Sequence, residues 1–452
     1  MALFPFFAGW IGYLLICLLG LIFLAFLCFC LYIKYIHLKY DHIPGPPRDS
    51  FLFGHLPTIL REMSNDRGKY SVVLLLHRFL GNGLVTAQNH DVWYKQRRIM
   101  DPAFSSLYLR GQMGAFNERA EKLMDKLADM ADTNTAANMH HMFNCVTLDV
   151  ISKVAFGVEL DLLKESDSPF PKAIEMCLKG AIHYLRDFTF QLYPKNKKFI
   201  NEVKKSCQLL RSTGRQWINE RKMAVQNGED VPKDILTQIL KTAANDDEEL
   251  MLDNFVTFFI AGQETTANQL AFAVMELGRL PEILTKQEVD DVLGMKQEIN
   301  FDDLGKMTYL SQVLKETLRL YPTAPGTSRF IPNDIVINGI PIPAGVTCVF
   351  NSYVCGRLDK FFEDPLKFDP ERFHPDAAKP YYCYYPFALG PRSCLGQSFA
   401  QMEAKVVMAK LLQRFDFSLL PGQSFDILDT GSLRPKSGVV CNIRHRGQTP
   451  AA

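Results

Sequence analysis

Phe387-Ala-Leu-Gly-Pro-Arg-Ser-Cys-Leu-Gly396 decides how this 452-residue chain is read. It sets one cysteine, Cys394, in a glycine-framed loop directly before a helix-forming run from about Leu395 to Arg414. The free amides and positive end of such a helix favour sulfur in its anionic form. A thiolate held there can bind iron and push electron density onto it. Gly390 and Gly396 let backbone come close to the sulfur, and Phe387 can shield it from water. The pattern Phe-x-x-Gly-x-Arg-x-Cys-x-Gly fixes five residue types, and a chain of this length would match it by accident with probability on the order of 10⁻⁴. For any one of the eleven cysteines taken alone, an inert buried thiol is the better expectation.

Three further constellations lie upstream. The first is Phe258-Phe-Ile-Ala261-Gly262-Gln263-Glu264-Thr265-Thr266, inside a helix predicted from about Leu252 to Leu280. That helix is apolar nearly all round and should be buried at the centre of the fold. Gly, Glu and two Thr in its middle cost helix propensity and burial energy. A site would justify them: Gly262 leaves room for a small ligand such as dioxygen, and Glu264 with Thr265 can relay protons to it. The alternative is a helix kink, with a threonine bonding back to its own carbonyl. The second is Lys315-Glu316-Thr-Leu-Arg319, an i,i+3 acid–base pair, with Pro370-Glu-Arg372-Phe373 downstream. The third is Trp93-Tyr-Lys-Gln-Arg97, with tryptophan and arginine one helical turn apart. Lys95, Arg97 and Arg98 form a basic cluster suited to docking an acidic electron donor.

The opening of the chain carries a different message. Met1 to Ile33 contains no charged side chain and is long enough to span a bilayer with some tilt. Lys34 and Lys39 follow at once, so the positive-inside tendency places the bulk of the chain in the cytosol. A cleaved signal peptide would have its basic residues before the apolar core. Lys+Arg of 50 against Asp+Glu of 49 gives nothing to attract nucleic acid. The odd cysteine count, with no Cys-x-x-Cys pair, fits scattered reduced thiols and not a disulfide framework. No Asn-x-Ser/Thr sequon occurs, which agrees with a folded part outside the secretory lumen. From about Leu80 to Leu320 the text is mostly helical, with breaks at Pro169-Phe-Pro171, Asn227-Gly228 and Asp246-Asp-Glu-Glu249. After Tyr321-Pro322 come short strand-like pieces, among them Asp334–Gly339 and Gly345–Phe350. The fold class predicted is mainly α with a minor β sheet (α+β).

The cysteine loop and the Ala261–Thr266 stretch together resemble the haem-binding and oxygen-activation signatures of the cytochrome P-450 monooxygenases. The resemblance implies haem b with Cys394 as the axial ligand of its iron, and O2 and NADPH-derived electrons as co-substrates. It implies an NADPH-dependent flavoprotein reductase as partner. Arg392, Trp93, Arg97 and Arg329 would reach the haem propionates. Glu316, Arg319 and Arg372 would form a structural network behind the haem. Ala261, Gln263, Ala324 and Thr327 would lie near the substrate. The domains implied are a spanning signal-anchor over 1–33, a basic and proline-rich linker over 34–48, a haem-thiolate catalytic domain over 49–447 and a tail over 448–452. The location implied is the endoplasmic reticulum membrane, single-pass, with the catalytic domain cytosolic. His42–Pro47, Asp234–Leu240, Leu252–Gly262, Tyr309–Lys315 and Gln401–Gln413 further resemble a member of the family that hydroxylates a sterol side chain.

The resemblance departs between Pro47 and Trp93. Only 45 residues separate them, where the family fits an opening helix, the first strands, another helix and a long loop roofing the pocket. Arg61–Tyr70 reads as a join, which predicts an incomplete sheet and an open pocket wall. Two alternatives therefore stand beside the monooxygenase: an impaired or inactive variant, and a haem-thiolate isomerase or dehydratase that needs no reductase. Glu264-Thr265 argues against the second alternative, because that chemistry needs no proton delivery to dioxygen.

Overall fold

The apolar run around Phe258 folds as one helix, Glu248–Arg279, and the larger part of the molecule is built on it. The structure is a computed structural model that describes residues 3–44, 50–52, 80–87, 89–164, 168–186, 190–242, 248–283, 285–378 and 382–447. The chain divides into two units: Met1–Tyr70 with Arg329–Cys348, and Ser71–Ser328 with Val349–Ala452.

In the first unit the N-terminal residues form a single helix, Leu3–Tyr40. It runs past Ile33, where the sequence places the end of the span, because Lys34 and Lys39 end the apolar run without breaking the helix. Its Gly12–Tyr40 part is long and apolar enough to cross a membrane. A hairpin pairs Ile335–Ile337 with Ile340–Ile342. Asn338 and Gly339 form its turn, both at positive φ, as a two-residue hairpin loop requires. The expectation for Pro47–Trp93 falls largely on residues 53–79, outside the described residues, as does the 448–452 tail.

In the second unit the central helix is buried from Leu252 to Ile260 and again from Thr266 to Leu277. Met139–Phe156, itself buried over most of its length, packs along it. An aromatic cluster ties further helices to it. Phe255 lies 4.4 Å from Phe156 and 5.6 Å from Trp217 of Lys197–Gln226, and Phe259 lies 5.6 Å from Phe170 of Phe170–Arg186. Such ring pairs add to the area they bury. Gly214 makes room for the Phe255 ring, since a Cβ there would sit 2.4 Å from it.

The sheets are small, as the sequence predicts. Val440–His445 pairs antiparallel with Phe415–Leu419 on one side and Ala137–Asn138 on the other. Ile427–Asp429 and Leu433–Pro435 form a hairpin whose turn carries Gly431 at φ 97° and Ser432. The helix after the cysteine is Gln397–Arg414, with Gly396 at its cap.

Candidate functional site

The cysteine loop is closed by its own backbone. The Cys394 N–H donates to the Phe387 carbonyl at 2.8 Å, and the Ser393 N–H to Gly390 at 3.0 Å. Ala388 and Gly390 take positive φ, which bends the loop back on itself. The Trp93 helix, His90–Met100, supplies the neighbours. Arg97 donates to the Ser393 carbonyl at 2.6 Å and is held by Asp101 at 2.6 Å. The Arg392 guanidinium lies 4.3 Å over the buried Trp93 ring and donates to the Ala87 carbonyl at 2.9 Å. The Trp93 and Arg97 pair and the Phe387–Gly396 loop, read as two separate motifs in the sequence, therefore converge.

Cys394 opens onto a cleft of about 400 Å³ lined also by Arg97, Asp101, Phe104, Ser398 and Gln401. Protein nevertheless rings the sulfur. That burial raises the Cys394 thiol above its ordinary value, against the Gly396 N–H and the Arg97 cation, which both pull it down. The sequence predicts a thiolate stabilised by the free amides and positive end of the helix. In the structure the pull is present but burial outweighs it; a bound iron would add positive charge that favours the thiolate. Among the described residues no group of three or more His, Cys, Asp or Glu is placed to hold a metal. A lone open thiol suits an iron that brings its other ligands with it, as in a tetrapyrrole.

The middle of the central helix is where its burial is interrupted. Ala261 is exposed, and Gly262, Glu264 and Thr265 are half-buried. The Thr265 hydroxyl donates to the Ala261 carbonyl at 2.9 Å, the back-bonding that the sequence leaves open as an alternative. Gly262 does different work from that expected of it. A Cβ on it would come within 2.8 Å of Ile151, so its missing side chain admits the Met139–Phe156 helix.

Glu264 turns to a second cavity, of about 290 Å³, lined also by His140, His141, Asn144, Glu175 and Arg434. Ser432, 168 residues downstream, donates to it at 2.6 Å and receives a bond from Asn268 at 3.0 Å. Asn268 meets the His140 ring at 2.7 Å. Sequence reasoning missed Ser432, Asn268 and His140, none of which has a local motif. Gln263 is buried, bonded to Asn144, and lines this second cavity and not the Cys394 cleft. Burial raises the Glu264 carboxyl, opposed by Ser432, Arg434 and Asn268. A carboxyl raised on folding stabilises the folded chain at low pH. Stability should fall as pH climbs from the unfolded carboxyl's range, about 4.3, to the raised folded value, and level off above it. Glu264→Gln should flatten that part of the urea-midpoint profile, and an unchanged profile would contradict the assignment.

Glu316 and Arg319, on Thr308–Leu320, are both fully buried and paired twice at 2.7 Å. Arg372 adds a third member 3.4 Å from Glu316. Ala324 is exposed and Thr327 half-buried, and neither lines either cavity. Arg329 is half-buried on the Gly326–Ile331 strand, in the first unit.

The family model described as Cytochrome P450 matches residues 58–442. The chain belongs to the cytochrome P450 family. Cytochrome P450 4d2 of Drosophila melanogaster is 30% identical over 410 residues, 84% of this chain and 80% of that protein. Human cytochrome P450 3A7 is 29% identical, over 75% of this chain and 70% of that protein. The 11-oxo-beta-amyrin 30-oxidase of Glycyrrhiza uralensis is 30% identical, over 80% and 72%. As a P450 the chain is an oxidoreductase of the monooxygenase type that uses haem b, O2 and NADPH-derived electrons. Among its described residues, the Cys394 loop is where this family membership and the geometry meet.

Proposed function

We propose that this P450 is a membrane-anchored sterol side-chain hydroxylase of the cholesterol 24-hydroxylase type. It would sit in the endoplasmic reticulum membrane through its N-terminal helix, with the catalytic domain cytosolic, and take electrons from an NADPH-dependent flavoprotein reductase. The observation that carries the oxygenase part is the exposed Cys394, whose backbone N–H donates to the Phe387 carbonyl and which is followed at once by the Gln397–Arg414 helix. The sterol part rests on the resemblance of His42–Pro47, Asp234–Leu240, Leu252–Gly262, Tyr309–Lys315 and Gln401–Gln413.

Bound haem would supply an iron able to activate dioxygen, with Cys394 as its thiolate ligand. Arg392, Arg97, Trp93 and Arg329 would hold the propionates, and Phe387 would keep water from the sulfur. Burial, which raises the Glu264 carboxyl, favours its holding a proton beside Ser432. Thr265, whose hydroxyl donates to the Ala261 carbonyl and can still accept, would receive it. Ala261, exposed in the middle of the central helix, is proposed to shape the substrate's surroundings. Glu316, Arg319 and Arg372 act through folding.

The short Pro47–Trp93 separation favours a second reading, a chain that keeps the thiolate site and has lost turnover. The full chain in lipid vesicles, with reductase, NADPH and cholesterol, should yield a side-chain hydroxysterol by mass spectrometry. Unaltered cholesterol alongside an intact thiolate spectrum would leave the second reading in its place.

A further inference from the structure

We propose that Cys177 and Cys207 are a reversible redox modification site, forming a disulfide that ties Phe170–Arg186 to Lys197–Gln226. Their sulfurs lie 3.3 Å apart, on two helices packed against each other. The helices meet closely here. One turn from Cys177, a Cβ on Gly180 would fall 2.6 Å from the Val203 side chain, so the missing side chain lets the two helices pack closely. Shortening the sulfur separation to the bonded value of about 2.05 Å takes a shift of about an ångström, within side-chain rotation.

The two thiols are unequal, which gives each a role. Cys177 is 1% exposed, whereas Cys207 is half-buried and reachable from outside. The Cys177 hydrogen bond, and then Arg211 one turn away, pull the Cys207 thiol down against burial. The same pairing with Cys207, and then burial, raise Cys177. Cys207 is therefore the sulfur that meets an oxidant, and Cys177 resolves it.

With a peroxide as oxidant the steps balance. The Cys207 sulfur gives an electron pair to the peroxide's outer oxygen. The O–O bond breaks, a sulfenic acid forms, and water leaves when the peroxide is hydrogen peroxide. The Cys177 sulfur then attacks the Cys207 sulfur, the S–O bond breaks, and a second water carries away the Cys177 proton. Two thiols are oxidised and one peroxide is reduced, and a dithiol restores the pair. In a reducing cytosol such a bridge is transient, a sensor and not a staple. Its consequence is local: Phe170–Arg186 contributes Pro171, Glu175 and Lys179 to the wall of the Glu264 cavity. Oxidation would fix that wall.

The full chain in detergent, treated with hydrogen peroxide and then alkylated, should give a Cys177–Cys207 linked peptide that dithiothreitol removes. Hydrogen exchange across 170–186 should slow by roughly tenfold on oxidation. Cys177→Ser should leave Cys207 as a sulfenic acid, labelled by dimedone several-fold more than in the wild type. Dimedone labelling of wild-type Cys207 without a linked peptide would overturn the proposal. So would alkylation of both thiols after treatment, or a linked peptide without slowed exchange.

Discussion

Cys394→Ala is expected to abolish the red-shifted Soret band of the reduced, carbon-monoxide-bound protein and to take turnover below detection. The reason is chemical. Alanine offers iron no donor in place of the sulfur. Folding should hardly notice. The side chain is open to the cleft, and the bonds that close the loop run through the Cys394 N–H and the Ser393 N–H, which alanine keeps. Stability of the haem-free chain should therefore change by less than about 1 kcal/mol, read from its urea midpoint. Loss of the band together with collapse of the haem-free fold would mean that Cys394 is a packing residue. A retained band would mean that another side chain is the ligand.

The largest effect on folding is expected at the other end of the site. Arg319→Ala should cost roughly 3–5 kcal/mol, seen as a large fall in the urea midpoint. Arg319 is fully buried, and besides Glu316 its guanidinium serves the carbonyls of Gly356, Pro365 and Lys367 at 2.5, 2.6 and 2.9 Å. Removing it leaves the buried carboxylate with only the Asp369 N–H and the more distant Arg372, and takes the guanidinium from three carbonyls at once. The double change Glu316→Leu with Arg319→Met should be less harmful than Arg319→Ala alone, because it removes the buried carboxylate together with its main partner. A double variant as unstable as the sum of the two singles would show that the pair is not a unit.

What could be read in advance follows from how far apart the contributing residues are. The cysteine loop was legible because five residue types within ten positions answer to one chemistry. The central helix was legible because nearly continuous apolar text demands burial. Glu264 was singled out for its type, but its partner Ser432 lies beyond any pattern of period 3.6 or 2 and is delivered by a hairpin turn. Gly262 shows the converse. Its sequence context suggested space for a ligand, and only the position of Ile151, on another helix, shows what fills that space. Cys177 and Cys207 were counted among scattered thiols, since nothing in a linear text says that two helices will meet with those faces inward. The N-terminal helix outran its expected end because charge marks the limit of an apolar span and helix propensity marks the limit of a helix. The two limits need not coincide.

The interrupted burial of the central helix has a consequence for how such a chain can change over generations. On both sides of the 261–265 segment its residues are locked into the core, where altered volume is felt by neighbours on several helices. Ala261 alone in that segment is exposed and can be exchanged with little repacking. New preferences would then arise through very few positions, each able to vary almost independently of stability, while the rest of the helix stays fixed by selection for folding.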